Sequence, residues 1–299
     1  MHQVLVFSTS SMDAKQSPVT LSRLTALCQP IDGVGAFTWL APACAAETTV
    51  RAITDDQFAQ LRADAAAHQI DVNCVTPQNR RKSLLIADMD STIIQGESLD
   101  DMAAMVGLGD EISSITARAM AGELDFEAAL DARVAMLAGY PDSLFERALD
   151  ETELTPGAMQ LVGTMAANGA HCYLVSGGFT AIVDPIADLC GFHGCHANEM
   201  ITEDGEITGT VRKPVLGRDA KAEFLRQYCH QHELDLAQSI AVGDGANDAA
   251  MLAAAGCGVA FHGKPLLREM IPVQLNFTDL TGLLFLQGYH IDDFAIHQP

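Results

Sequence analysis

The sequence has few basic residues and a large excess of acidic ones. It contains 17 Lys and Arg residues against 39 Asp and Glu residues, which gives a formal net charge of −22 at pH 7. Binding to nucleic acid requires a basic surface, and the short cluster Arg80-Arg81-Lys82 is best interpreted as part of a linker. The composition therefore argues against a nucleic-acid partner. A phosphate site in such a protein needs local positive charge from a few side chains or from a metal ion.

Long apolar segments and a secretory signal are also missing. No apolar run is long enough to cross a membrane, and residues 1–7 lack the basic start of a signal peptide and predict a first β-strand. The eight cysteines are scattered, so we expect reduced thiols in a cytoplasmic protein without a membrane partner. With 299 residues, 48% of them hydrophobic, the chain can form one large domain or two ordinary ones.

Residues 1–80 predict a small α+β domain. The pattern gives strands at residues 4–7, 36–40, 48–52 and 70–75 and helices at residues 21–28 and 54–68. The order β-α-β-β-α-β is that of a ferredoxin-like module. This part loosely resembles the ACT domains, which are small regulatory ligand-binding domains, and the resemblance leaves an amino-acid ligand open. No set of residues in this part predicts catalysis.

Residues 83–96 and 156–299 predict an α/β catalytic core, because apolar strands alternate there with helices. Such alternation is typical of a parallel, Rossmann-like sheet with helices on both faces. Residues 97–155 have helical patterns only and interrupt the core after its first strand. We therefore expect them to form a helical cap domain over the active edge of the sheet.

Two carboxylates follow the first core strand directly. The apolar residues 84–87 lead into Asp88-Met89-Asp90-Ser91-Thr92. Residues two apart in a strand project to the same side, so Asp88 and Asp90 are predicted at the edge where open α/β sheets bind ligands. Close carboxylates repel each other unless a cation such as Mg²⁺ neutralises them. Taken alone, an Asp-x-Asp at a strand end more often forms a turn or caps a helix.

Three later segments are predicted at the same edge, because the carboxyl ends of parallel strands lie side by side. They are Ser176-Gly177-Gly178, Lys221, and Gly243-Asp244-Gly245-Ala246-Asn247-Asp248. The acidic residues of the last segment, added to the first pair, supply enough oxygen ligands for one Mg²⁺ ion. Lys221 taken alone is more typical of a surface lysine at a helix start.

The four segments together, in this order, resemble the motifs of the haloacid dehalogenase-like phosphatases. The resemblance extends from about residue 83 to about residue 285 and is strongest to the members that act on O-phospho-L-serine. It implies Mg²⁺-dependent hydrolysis of that ester to serine and phosphate through an aspartyl-phosphate, the last step of serine biosynthesis. An ACT-like first domain also occurs in some members of the family.

The resemblance also implies a role for each motif residue. Asp88 is expected to be the nucleophile and Asp90 the general acid, which then becomes the general base. Mg²⁺ is expected on the Asp88 carboxylate, the Asp90 carbonyl and Asp244, and Asp248 is expected to orient a ligand or pair with Lys221. The groups expected to hold the phosphoryl oxygens are those of Ser176, Gly177, Lys221 and Asn247.

Substrate choice is expected to come from the cap. The resemblance places Glu97 on the substrate ammonium group, Arg133 on its carboxylate, and Met120 and Phe126 around its carbon atoms. An amino-acid ester needs one anion and one planar bidentate cation, which agrees with this set. Simpler interpretations remain open: Arg133 can pair with a neighbouring acid, Glu97 can stabilise a helix N-terminus, and the two apolar residues can pack inside the cap.

Two other functions remain open. One is a phosphatase of the same fold that acts on another small phosphorylated metabolite, such as phosphoglycolate. The other is a ligand-sensing protein with a vestigial phosphatase core, although the intact set Asp88, Asp90, Ser176, Lys221 and Asp244 argues against it. The sequence leaves the oligomeric state open, with a homodimer among the alternatives.

Overall fold

The structure is a computed structural model that describes residues 2–10, 17–120, 124–217 and 219–297, without the side chains of residues 117, 119, 120 and 126. Strands in the described residues form a four-stranded, a six-stranded and a two-stranded sheet. The first is antiparallel and the second is parallel. The predicted class, an α/β core with a small α+β unit before it, is confirmed.

The first unit has the predicted ferredoxin-like order. Its elements are β1 (Gln3–Ser8), α1 (Leu21–Cys28), β2 (Thr38–Ala41), β3 (Ala45–Val50), α2 (Asp55–Ala66) and β4 (Asp71–Val75). The strand order is β2-β3-β1-β4, and all neighbouring strands are antiparallel. The predicted start of the third strand at residue 48 is wrong, because Ala45 and Ala46 already pair with β1. Alanine favours strands only weakly, so the pattern does not show them.

The remaining elements alternate as predicted, with four helices inserted after the first strand. In chain order they are β5 (Leu84–Ala87), α3 (Ser98–Met105), α4 (Gly109–Met120), α5 (Phe126–Ala135), α6 (Ser143–Glu151), α7 (Ala158–Ala167), β6 (His171–Phe179), α8 (Thr180–Cys190), β7 (Gly194–Asn198), β8 (Met200–Glu203), β9 (Glu206–Val211), α9 (Ala220–Gln231), β10 (Ser239–Gly243), α10 (Ala249–Ala254), β11 (Cys257–Phe261), α11 (Pro265–Met270), β12 (Val273–Leu275) and α12 (Gly282–Leu286). The division of the chain at residues 80, 97 and 155 stays a proposal.

The parallel sheet has the strand order β12-β11-β10-β5-β6-β7 and is covered on both faces. Leu85 and Ala87 of β5 pack with α7 and α8, whereas Leu84 and Ile86 pack with α9 and α10. Burial on both faces explains why β5 is apolar throughout instead of alternating. Because β5 lies between β10 and β6, the residues that follow these three strands meet at one edge.

One predicted strand, at residues 197–201, is divided between two sheets. β7 ends at Asn198, and β8 begins at Met200 in the separate hairpin β8–β9. The turn of this hairpin is Asp204-Gly205, as predicted, and both residues have positive φ, as a two-residue turn of this kind requires. The Ile207 N–H donates to the Tyr140 carbonyl at 2.8 Å and the Gly139 N–H donates to the Ile207 carbonyl at 2.8 Å, so the hairpin is bound to the cap.

The ferredoxin-like unit is fixed to the core through a buried carboxylate. Asp71 of β4 accepts hydrogen bonds of 2.8–2.9 Å from the backbone N–H groups of Asn276, Phe277 and Thr278, and from the Thr278 hydroxyl. Arg80 also contributes, since its guanidinium lies 2.6 Å from Glu47 and donates to core carbonyl groups. The basic cluster therefore lies in the connection between β4 and β5, as the linker interpretation predicts, and Arg80 anchors this connection to the core.

None of the helices in the described ranges is long and apolar enough to cross a membrane.

Replacing Asp71 by Asn should lower the free energy of unfolding by about 2–3 kcal/mol. The amide would place its own N–H groups against the buried backbone donors that the carboxylate now satisfies. Urea unfolding of the full chain measures this change. Asp64→Asn, at an exposed position of α2, is the matched control. Equal free energies of unfolding for the two variants would contradict the proposed contribution of the Asp71 hydrogen bonds to stability.

Candidate active site

Asp88 and Asp90 stand in a turn at the carboxyl end of β5. The Asp88 N–H donates to the Val242 carbonyl at 3.0 Å, so Asp88 still continues the sheet. Asp90 lies inside the turn Met89–Ile93, and its backbone is extended like that of Asp88. Both side chains therefore point into the same cavity, although the strand itself ends at Ala87. Strand alternation therefore predicts correctly that both side chains lie on the same side. The two residues follow the strand, however, and do not belong to it.

Lys221 joins two buried carboxylates at this point. Its Nζ atom lies 2.6 Å from Asp88 Oδ1 and 2.7 Å from Asp248 Oδ1. Burial alone would lower the pKa of Lys221, but the carboxylates of Asp248 and Asp88 raise it above its usual value. The lysine is therefore charged, and the interpretation as a surface lysine is wrong. Asp248 pairs with Lys221, as predicted, and its other oxygen accepts from the Gly245 N–H at 3.1 Å.

Three carboxylates can share a cation. Among the described residues, Asp88, Asp244 and Asp248 each offer an oxygen atom, and these atoms lie within 4.8 Å of one another. A set of hard oxygen donors suits Mg²⁺ better than softer metals. The donor chemistry therefore fits the expected ion, with Asp248 available in addition to the two carboxylates that the sequence indicated. Ligation by the Asp90 carbonyl stays a prediction.

Asp90 is both a cap and a candidate acid. Its Oδ1 atom accepts a 2.9 Å hydrogen bond from the Ser98 N–H in the first turn of α3, so the simpler capping interpretation also holds. Burial raises the pKa of Asp90 above its ordinary value, against the opposing effect of this hydrogen bond. A carboxyl group that holds its proton more strongly is suited to general acid work.

Two cavities are lined by the predicted residues whose side chains the structure describes, with the exception of Asp248. A cavity of about 470 Å³ between core and cap is lined by Asp88, Asp90, Glu97, Arg133, Gly177, Asp244 and Asn247, among others. A smaller cavity of about 30 Å³ is lined by Ser176, Gly177, Lys221 and Asn247, among others. Met120 ends α4 and Phe126 begins α5, but their side chains lie outside the described part. The chemical roles of all these residues stay predictions.

Glu97, at the start of the cap, is held by two residues of the core. It accepts a 3.0 Å hydrogen bond from the Ser91 hydroxyl, and Lys264 Nζ lies 3.6 Å from its Oε1 atom. Lys264 Nζ also lies 3.1 Å from Asp244 Oδ2. Sequence reasoning missed Lys264, which follows β11 and belongs to none of the four motifs. Its place just after a predicted core strand is the only signal that could have indicated it.

Arg133 lies in a polar network of the cap. Its Nη1 atom donates to Thr116 Oγ1 at 3.2 Å, and this hydroxyl lies 3.3 Å from Asp100 Oδ1. The acids nearest in sequence, Glu127 and Asp131, pair instead with Lys213. The alternative interpretation, in which Arg133 pairs with one of these acids, is therefore wrong. Asp100 and Thr116 also line the larger cavity and were missed by sequence reasoning.

Comparison with known proteins identifies the family. The profile of the haloacid dehalogenase-like hydrolases matches residues 85–253. The chain belongs to this family. A curated relative named phosphoserine phosphatase, from Streptomyces coelicolor, is 40% identical over 250 residues, which are 83% of this chain and 61% of the relative. The chain thus spans less than two thirds of the length of that haloacid dehalogenase-like relative.

Two solved structures of haloacid dehalogenase-like proteins are similar to this one. A hydrolase of the family from Salmonella enterica superposes with a TM-score of 0.84 at 27% identity and covers 95% of this chain and 98% of its own. A phosphoserine phosphatase described as a phospho-aspartyl intermediate analogue has a TM-score of 0.65 at 36% identity and covers 69% of this chain and 98% of its own. The first likeness extends through the ferredoxin-like unit, and the second is confined to part of the chain.

Replacing Lys221 by Met should lower the free energy of unfolding by about 3–5 kcal/mol without divalent cations, because two buried carboxylates lose their counter-charge. Added Mg²⁺ should recover part of this loss through the same carboxylates. The matched control is Lys213→Met, which removes an exposed lysine that also pairs with two acids and should cost much less. Urea unfolding with and without Mg²⁺ measures both. Equal losses, or no effect of Mg²⁺ on the Lys221 variant, would contradict this account.

Proposed function

We propose that this protein hydrolyses O-phospho-L-serine to serine and phosphate. The observation that carries the proposal is a single cavity with Asp88 and Asp90 on its core side and Glu97 and Arg133 on its cap side. The first pair is suited to phosphoryl transfer and the second pair to an amino acid. The relatives named phosphoserine phosphatase support the same substrate.

The proposed chemistry has two steps on this chain's own groups. A carboxylate oxygen of Asp88 forms a bond to phosphorus while the bond from phosphorus to the serine oxygen breaks, and Asp90 gives its proton to the departing alkoxide. Asp90 then takes a proton from water, which attacks phosphorus and releases phosphate and the free Asp88 carboxylate. These steps return both residues to their starting forms.

A divalent ion and nearby donors are proposed to stabilise the charge that moves during both steps. Mg²⁺ on Asp88 and Asp244 would neutralise the phosphate charge that otherwise repels the nucleophile. Lys221, Ser176, the Gly177 N–H and Asn247 are placed around the smaller cavity, where they can hold the phosphoryl oxygens. Burial and the neighbouring Asp248 carboxylate raise the pKa of Asp88 well above its usual value, and Lys221, which contacts Asp88 directly, opposes this effect through its charge.

The cap pair is proposed to choose the substrate. Glu97 offers a carboxylate to the ammonium group of serine, and Arg133 offers a planar guanidinium to its carboxylate. The shared cavity supports this arrangement, since both side chains line it together with Asp88. Cytoplasmic location, a homodimer and an amino-acid ligand on the ferredoxin-like unit stay predictions.

A screen of phosphate release over phosphorylated metabolites tests the proposed function. O-Phospho-L-serine should be the best substrate, activity should disappear when a chelator removes Mg²⁺, and Asp88→Asn should lower kcat by more than ~10³-fold. Asp150→Asn, at an exposed position of α6, is the control variant. A different best substrate would favour another phosphatase of the same fold, and normal turnover of Asp88→Asn would contradict the covalent mechanism.

Replacing Arg133 by Ala should raise KM for O-phospho-L-serine by about 10–100-fold, because a charge-assisted contact to the substrate carboxylate is lost. KM for phosphoethanolamine, which has the ammonium group but no carboxylate, should change little. Steady-state kinetics on both esters measure the difference, with Arg147→Ala on an exposed position of α6 as control. Equal changes for the two esters would remove Arg133 from substrate recognition.

A further inference from the structure

The segment that carries Ser176 and Gly177 is a bulge in the parallel sheet. β6 and β7 pair at Val175 and His196 and pair again at Phe179 and Asn198. Three residues of β6 therefore lie opposite one residue of β7. Bulges of this kind turn a side chain towards a site and interrupt the backbone hydrogen bonds of the strand. The polar backbone groups in the bulge then need other partners.

Asn198 supplies such a partner at the end of the bulge. Its side chain is buried, with 3% of the residue exposed. Its Nδ2 atom donates to the Gly177 carbonyl at 2.8 Å, and its Oδ1 atom accepts from the Leu216 N–H at 2.8 Å. The amide thus uses its donor on the bulge and its acceptor on the segment that leads to α9.

The contact with Gly177 reaches Ser176 through one rigid plane. The Gly177 carbonyl and the Gly178 N–H belong to the same planar peptide unit. That N–H donates to Ser176 Oγ at 2.9 Å. Asn198 therefore fixes one end of the plane, and the Ser176 hydroxyl is held by the other end.

The second contact of Asn198 leads towards Lys221. Leu216 and Gly217 line the smaller cavity together with Lys221, Ser176 and Gly177. One buried side chain therefore fastens together the two segments that form the walls of the cavity. Neither segment follows directly from the other in sequence, so their spacing depends on a contact of this kind.

We propose that Asn198 is a positioning residue for phosphoryl binding, which it serves through the Gly177–Gly178 peptide and Ser176. The inference rests on the proposed function, because it assumes that Ser176 and Gly177 hold phosphoryl oxygens. Small displacements of such donors are costly, since their stabilisation depends on distances fixed before the reaction. Asparagine is required by this role because the side chain must donate on one side and accept on the other.

The test compares Asn198→Ala with Asn198→Asp in the full chain with Mg²⁺. Aspartate keeps the size and the acceptor for Leu216 but loses the donor to Gly177, whereas alanine removes both contacts without adding a buried charge, so the two variants fail to fold for different reasons and urea unfolding identifies the folded one. We expect kcat/KM to fall by about 10–100-fold. The fall should be equal for O-phospho-L-serine and phosphoethanolamine, because the defect lies at the phosphoryl end. Calorimetry should show a Kd for inorganic phosphate about tenfold higher.

A double-mutant cycle with Ser176→Ala tests the route of the effect. If Asn198 acts through Ser176, adding Asn198→Asp to Ser176→Ala should lower kcat/KM by less than about threefold further. Thr208→Val is the matched control, since it removes a hydroxyl from the hairpin that follows Asn198, where it donates to the Ile201 carbonyl. This control should leave the Kd for phosphate and both substrate parameters unchanged.

Three results would overturn the proposal. One is a lower stability of Asn198→Asp in urea together with a normal Kd for phosphate and normal kcat/KM, which would show a structural role only. Another is a kcat/KM of the double mutant that falls by the product of the two single-variant effects, which would show that Asn198 and Ser176 act independently. The third is a change in the Kd for phosphate and in kcat/KM of the Thr208→Val variant as large as that of Asn198→Asp. Normal phosphate binding by Asn198→Asp contradicts this inference alone, whereas absence of phosphate binding and of phosphatase activity in the unaltered protein contradicts the proposed function as well.

Discussion

The ion triad of Lys221 with Asp88 and Asp248 is the interaction on which the site depends. All three groups are buried, and removing charges from water is costly unless they neutralise one another at close range. At 2.6 and 2.7 Å, Lys221 offsets one of the two negative charges, and burial together with the Asp248 carboxylate still raises the pKa of Asp88. The triad joins the end of β5, the first turn of α9 and the loop after β10. Those three segments are adjacent only because the strand order places β10 beside β5.

Two glycines let these groups come so close. A Cβ atom on Gly243 would lie 2.4 Å from the carboxyl group of Asp248, and one on Gly178 would lie 3.1 Å from Ser176 Oγ and 3.2 Å from Asp90 Oδ2. The first position therefore excludes every other residue, and the second leaves little room. Glycine is needed at positions 178 and 243 for a steric reason, because carboxylate groups and a hydroxyl group lie close to the backbone there.

The sequence predicted those parts of the site that follow apolar strands directly. Asp88 and Asp244 are of this kind, because strand ends can be located from composition and parallel strands share an edge. Lys264 was missed although it follows the predicted strand β11, because it belongs to no motif, whereas Thr116 and Asn198 were missed because each acts through a partner elsewhere in the chain. Nothing in local periodicity shows that Lys264 meets Glu97 or that Asn198 meets Gly177. Such contacts arise from the packing of the folded chain, and local sequence patterns do not predict them.

The charge inside the larger cavity argues for a cation in the reaction. Its walls carry the carboxyl groups of Asp88, Glu97, Asp100 and Asp244, and that of Asp90, which is proposed to hold a proton, against the two basic groups of Arg133 and Lys264. Lys264 already pairs with Asp244 and lies near Glu97, so little of its charge is left for a phosphate dianion. A dianion would be repelled from this cavity unless a divalent ion came with it. The acidity that excludes nucleic acid from the surface thus makes a metal ion necessary for the function proposed for its interior.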